Sequence, residues 1–182
     1  MRSDSLLREL RIFAPHDALE DTHCRAIVDL LADGEDAFSR DSFSPGHITA
    51  GCYVIDPNGD QLLLLHHRRL DRWLQMGGHV EHDETPLAAA LREAREESGL
   101  DDLTLVVDAI FDLDVHAIPA AKGEPDHHHY DVRYLARTTH PAAIAFDPNE
   151  SNDLAWVPLD RAVMLMNEEA SARVIRKIRS VI

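Results

Sequence analysis

The sequence predicts an α/β sandwich on a mixed β-sheet, with a helical segment in front of it. Three observations carry this. Two apolar runs, His47 to Ile55 and Gln61 to His66, flank Asp56-Pro57-Asn58-Gly59; a capped amphipathic helix lies between Thr85 and Gly99; and further strand-like runs precede helices at the end of the chain. An Asn-Gly pair between apolar runs favours a tight hairpin. Strands mixed with a few helices point to a sandwich rather than a regular βαβ series.

Each element has a local reason. Residues 1–45 read as a helical N-terminal extension packed on a core domain of residues 46–182. Leu6, Leu7 and Leu10 make one short apolar face. A second helix begins near Asp21 or Thr22 as N-cap, carries Ala26, Ile27, Leu30 and Leu31 on one side, and stops at Gly34. In the core domain, Thr85 is the N-cap, Pro86 the first position and Gly99 the stop of a helix over Pro86 to Ser98. Leu103 to His116 and His128 to Ala136 read as further strands, and Leu154 to Val157 as the last one. In the final helix Ala170, Val174, Ile178 and Val181 share a face.

The composition excludes several classes. The chain has 182 residues, 45% hydrophobic and 28% charged, which suits one soluble domain with a small terminal addition. Cys24 and Cys52 lack CxxC spacing, so neither a disulfide nor a structural zinc framework is indicated. The start Met1-Arg2-Ser3-Asp4-Ser5 is not a signal peptide, and no apolar run reaches a membrane span; the cytoplasm is the expected location. With 18 Lys and Arg against 33 Asp and Glu, the net charge of −15 argues against nucleic-acid duplexes and anionic membranes as partners. A small phosphorylated substrate still fits, provided metal ions supply local positive charge.

The capped helix carries the chemistry. Leu87, Leu91, Ala94 and Ser98 fall along one side, expected to pack inward. Glu93, Glu96 and Glu97 stand at i, i+3 and i+4 and share another side, where their repulsion destabilises an isolated helix by a few tenths of a kcal/mol per pair, about 0.2–0.5. Arg92 and Arg95 offset part of it. A hard divalent cation offsets more, because Mg²⁺ prefers carboxylate oxygens. On the helix alone, the ordinary reading is an exposed charged face. The surroundings reverse it.

Gly78 to Leu100 runs GHVEHDETPLAAALREAREESGL. This resembles the Nudix box, G-x5-E-x7-R-E-U-x-E-E-x-G-U with U aliphatic. Gly78, Glu84, Arg92, Glu93, Ala94, Glu96, Glu97, Gly99 and Leu100 fill every fixed position at the right spacing. The resemblance implies a Nudix-type α/β/α sandwich and a pyrophosphohydrolase that uses Mg²⁺, with Mn²⁺ as a substitute. It implies that Glu93, Glu96 and Glu97 ligate the metal, joined by the backbone carbonyl of Gly77. Arg92 would orient a box glutamate and Glu84 would brace the loop. Glu96 is a candidate general base; family members differ here, and Glu150 and Asp153 are the later-loop alternatives.

Other residues carry weaker signals. Arg68, in the basic run His66-His67-Arg68-Arg69, is a candidate contact for a substrate anion, Trp73 and Tyr130 for a base, and Glu150 for the substrate. His127 and His129 share a strand face while His128 points away; they could approach a phosphate or adventitious zinc, although a loop-edge trio is the plainer reading. The substrate itself is not written in the chain. His116 stands where ADP-ribose-specific members carry a proline, the tyrosine of dinucleoside-polyphosphate hydrolases is missing, and the segment before the box lacks the coenzyme A hydrolase motif. The helical extension could cap the site, form a homodimer contact or pack on the sheet, packing being the default. Two alternatives remain: an enzyme like the isopentenyl-diphosphate isomerases, for which Cys52 is a poor nucleophile, and a non-catalytic nucleotide sensor, which has no need of an intact box.

Overall fold

The structure, a computed structural model, describes residues 2–33, 36–121, 123–149, 151–167 and 169–182. Two helices, α1 (Arg2–Ile12) and α2 (Ala18–Ala32), precede strands β1 (Gly46–Ile55), β2 (Gln61–His67), β3 (Arg72–Leu74) and β4 (Met76–His79). Helix α3 (Pro86–Ser98) follows, then β5 (Thr104–Leu105), β6 (Asp112–Ile118), β7 (His127–Arg137) and β8 (Ser151–Pro158). Helices α4 (Leu159–Met166) and α5 (Ser171–Val181) close the chain.

The strands form one mixed sheet in which β1 is central and buried along its whole length. It runs parallel to β7, while its other edge pairs antiparallel with β4 over Thr49 to Cys52 and with β2 at Val54 and Ile55. Alternation along β1 sorts the two faces. Ile48, Ala50, Cys52 and Val54 pack with residues of α1, α2 and α3, whereas Tyr53 and Ile55 pack with residues of α4 and α5. This is an α/β/α sandwich, as the sequence predicts.

The hairpin between β1 and β2 is wider than an Asn-Gly two-residue turn. Gly59 N donates to Asp56 O at 3.1 Å and only Gly59, at φ 80, is left-handed, so Asn58 occupies ordinary backbone. The Asp56 carboxylate holds the loop by accepting from the N–H groups of Gln61 and Asn58.

Three boundaries differ from expectation. Helix α2 starts at Asp17, whose carboxylate accepts from Glu20 N at 2.9 Å, rather than near Asp21; the Asp-x-x-Glu spacing is an earlier cap. Gly34, the expected stop, lies outside the described residues. The run from Leu103 to His116 is two strands on one edge of β7. Val106 N donates to Leu135 O and Phe111 N to Arg133 O, so the residues between them loop out and return to the same partner. In α5, Val174 and Ile178 are buried behind the Ala170 cap, but Val181, the last helical residue, is 40% exposed.

A buried ionic network ties the sheet edge to the helices. The Arg133 guanidinium, 1% exposed, donates to Asp131 at 2.7 Å and to Asp114 at 3.1 Å, and lies 3.7 Å from Asp112. Arg173 of α5 donates to both Asp112 oxygens, and Lys177 bridges Asp112 and Glu20 of α2. The N-terminal helices therefore meet the sheet through matched charge as well as through the apolar residues Leu6, Leu10, Ile27 and Leu30.

Candidate active site

Helix α3 is held in place by local chemistry. Thr85 Oγ1 accepts from Ala88 N at 3.2 Å, and Gly99 closes the helix at φ 71. Its buried side is made of Pro86, Ala89, Ala90, Ala94 and Ser98, a smaller face than Leu87 and Leu91 suggest; those leucines flank it, partly buried. Small residues let the helix lie close on β1 and β4. The two glycines of β4 continue that fit. A Cβ on Gly77 would come within 2.7 Å of Ala50 O, and one on Gly78 would collide with the Glu93 carboxylate.

Arg92 organises the loop before the helix. Its Nε and Nη2 donate to the two Glu84 oxygens at 2.8 and 3.0 Å, a bidentate pair. Nη1 donates to Glu93 at 2.8 Å and to Glu96 at 3.1 Å, and Nη2 also donates to His79 O at 3.1 Å. These contacts engage the guanidinium along its whole donor edge. Glu84 in turn accepts from Glu81 N at 3.1 Å, and the Arg92 bonds hold its carboxyl below the usual range. Glu97 accepts from Gly77 N at 2.9 Å. Burial pushes the Glu93 carboxyl above its usual range, with Arg92 opposing the shift. Glu96, 59% exposed, is the wettest of the helix carboxylates.

A cleft of about 400 Å³ opens beside this helix, lined by Gly77, Gly78 and Glu97 together with Thr49, Gln75, Asp131 and a set of histidines. The sheet supplies its floor. Parallel register places His47 beside His129 and Thr49 beside Asp131, and β4 places His79 opposite Thr49. Thr49 Oγ1 donates to Asp131 at 3.0 Å, while Gln75 donates to the same carboxylate at 3.4 Å. Burial lowers the His79 imidazole to about 4 and the His129 imidazole to about 3. A larger cavity, about 760 Å³, lies between the α1–α2 connection and the end of α5 and contains no box carboxylate. The smaller cleft is the one that meets the chemistry.

The candidate substrate residues are placed differently. Arg68 donates to Pro148 O at 2.8 Å, and it is Arg69 that lines the cleft. Trp73 stacks on His66 at 5.0 Å, outside the cleft lining. Tyr130 is buried with Ile48 and Val132 on the α3 side of the sheet. Glu150 lies outside the described residues. Sequence reasoning did not single out His47, Thr49, Gln75 or Asp131. The signal for part of this floor was the period-2 series His127, His129, Asp131 and Arg133, which places four polar residues on one face of β7.

A sandwich that carries a glutamate-rich loop–helix–loop at the edge of a cleft defines the class of protein. The family model described as NUDIX domain matches residues 45–178. The chain belongs to the Nudix family of hydrolases. It is 36% identical over 78 residues to a probable DHNTP pyrophosphohydrolase of Lactococcus lactis subsp. cremoris (strain MG1363), a match covering 42% of this chain and 46% of that protein. It thus spans a little under half of that relative. Among solved structures, an Ap4A hydrolase of C. elegans in a binary complex aligns over 73% of this chain and 95% of that one, with TM-score 0.60 and 23% identity. The E. coli dihydroneopterin triphosphate pyrophosphohydrolase aligns over 71% of this chain and 92% of that one, with TM-score 0.56 and 20% identity. At these identities the structural likeness speaks for the fold alone.

Proposed function

We propose that the protein hydrolyses a phosphoanhydride (pyrophosphate) bond in a small nucleotide-like substrate, either a nucleoside diphosphate linked to another moiety or a nucleoside triphosphate. Mg²⁺ is its cofactor, with Mn²⁺ as a substitute. The observation that carries this is the charge imbalance of the box: one arginine serves Glu84, Glu93 and Glu96, while Glu97 reaches the cleft beside Gly77 and Gly78. The donor set is all oxygen and strongly anionic, which suits a hard cation. Burial disfavours the charge on Glu93, so a cation there supplies what Arg92 alone does not.

Glu93, Glu96, Glu97 and the Gly77 carbonyl would hold the ion. When bound, the ion would supply positive charge against the pyrophosphate oxygens and Lewis acidity toward water. The chain's residues do the rest. Arg92 and Glu84 fix the loop that presents Gly77, so little reorganisation is left for the moment of reaction. Glu96 is exposed enough to accept a proton from water and pass it to solvent, which makes it the base in this reading. Residues 46–182 act as the hydrolase domain and 1–45 as its helical extension. Cys52, the poor stand-in for an isomerase cysteine, is fully buried and its thiol is pushed up to about 12, which speaks against that alternative.

The substrate enters by assay. Phosphate release is measured across nucleoside diphosphate sugars, ADP-ribose, CDP-alcohols, dinucleoside polyphosphates, nucleoside triphosphates and dihydroneopterin triphosphate, with Mg²⁺ or EDTA. The pterin compound is included because of the named relatives. Turnover of one class, abolished by EDTA, is the expected result. A folded protein silent across the panel would favour the sensor alternative.

A further inference from the structure

We propose that His47, His127 and His129 form a second metal site in the same cleft, suited to a transition-metal ion of the zinc class. One ligating nitrogen from each of the three lies within 4.8 Å of the others, and among the described residues this is the one such group of three or more metal-ligating side chains. The helix glutamates, spread between Arg92 and Gly77 N, form no comparable group.

The ring nitrogens are already sorted for ligation. His47 Nδ1 lies 3.0 Å from Ser42 O, and His127 Nδ1 lies 2.9 Å from Pro125 O. A carbonyl only accepts, so in the neutral imidazole each Nδ1 carries the proton and the lone pair is left on Nε2. An imidazole that donates one N–H to a carbonyl and turns the other nitrogen inward is the usual arrangement of a metal-bound histidine. His47 is 1% exposed, and its Nε2 is buried with no hydrogen-bond partner. Leaving such a buried atom unsatisfied is unfavourable. Packing of rings does not explain it, because the neighbouring rings, His127 stacked and His79 and His129 tilted at 4.9–5.2 Å, leave that lone pair unmet. A cation among the three nitrogens meets it.

Chemistry separates this site from the box. Neutral imidazole suits zinc, copper, iron or nickel, whereas carboxylate and carbonyl oxygens suit magnesium. Distance separates them too. His47 stands four residues before Gly51, the register partner of Gly77, which is roughly 13 Å along the strand. Paired ions in one two-metal centre sit about 4 Å apart. A tetrahedral zinc with bonds of about 2.0 Å asks the nitrogens to close by on the order of 1 Å and leaves a fourth position open. His127 and His129 line the cleft, so that position faces it.

The test uses the full chain, stripped with EDTA and returned to buffer with excess Mg²⁺, then titrated with Co²⁺ as a spectroscopic probe. One ion per chain with the visible bands of four-coordinate Co²⁺, displaced by Zn²⁺, is the expected result. Affinity should fall on the order of 100-fold in His127→Gln and in His129→Gln and stay within about twofold in Glu97→Gln, since a lost ligand outweighs the usual loss of a supporting contact. Circular dichroism checks that the variants fold. X-ray absorption on the Zn²⁺-loaded wild type needs no variant and should show imidazole nitrogens around the metal. Absent bands, bands unchanged in both histidine variants, or oxygen-only coordination would each overturn the proposal.

Discussion

Two charged clusters of this molecule look alike in composition and behave oppositely. Around Asp112, three cations, Arg133, Arg173 and Lys177, face Asp112, Asp114, Asp131 and Glu20, and the charges nearly cancel in the interior. On α3, the single guanidinium of Arg92 faces three carboxylates, Glu84, Glu93 and Glu96, and Glu97 accepts from Gly77 N beside them. Matched charge is sealed away and fixes the approach of α2 and α5 to the sheet. On α3 the carboxylates outnumber the arginine that joins them, and Glu97 lines the cleft. The difference separates residues that hold the fold from residues proposed to do chemistry.

The largest expected effect is on the matched side. Arg133→Met leaves Asp131 and Asp114 buried without their guanidinium and should lower folding stability by about 3–5 kcal/mol, read from the denaturant midpoint. A loss under ~1 kcal/mol would break the comparison. Next comes Glu97→Gln on the α3 side. It should reduce Mg²⁺-dependent turnover by roughly 10²–10³-fold, the scale for removing one transition-state stabilising group, while the denaturant midpoint moves little.

The β4 glycines sharpen the contrast further. A Cβ on Gly78 meets the end of a flexible side chain, Glu93, whereas one on Gly77 meets the Ala50 backbone. Gly78→Ala should therefore lose turnover, about 10-fold or more through displaced metal ligation, and keep most of its stability. Gly77→Ala should lose stability as well. Equal midpoints for the two variants would contradict this.

How much of this was legible in the sequence depends on how local each feature is. The bounds of helix α3 were legible because Thr85, Pro86, Gly99 and the box spacing are all decided within the segment, whereas its buried face, set by the sheet, was read too far toward Leu87 and Leu91. The break between β5 and β6 was not, because it is set by where the edge returns to Leu135 and Arg133 of β7. The matched network was hidden for the same reason: Glu20, Asp112, Arg133 and Arg173 look like surface residues until four elements bring them together. His47 lies some eighty residues from His129, and only the parallel register of β1 and β7 makes them neighbours.

The smallest effect is a pH dependence. His79 and His129 stay neutral in the folded, metal-free protein because burial lowers their pKa to about 4 and about 3. The unfolded chain, with histidine pKa near 6.5, binds more protons in between, so folding stability is present above about 6.5 and is lost as pH falls toward 4 and 3. Thermal midpoints of EDTA-treated protein should therefore drop from pH 7 to pH 5, and the drop should shrink in a His79→Gln variant. A flat profile would contradict the assignment.

The central claim is that the box carboxylates of α3 form a cation site, and electron paramagnetic resonance counts the ions directly. Free Mn²⁺ is titrated against wild type, Glu93→Gln/Glu97→Gln and His127→Gln/His129→Gln, with Zn²⁺ present to fill the histidine site. The account predicts Mn²⁺ bound by wild type and by the histidine variant, displaced by Mg²⁺, and lost in the glutamate variant. Binding unchanged in the glutamate variant would contradict it.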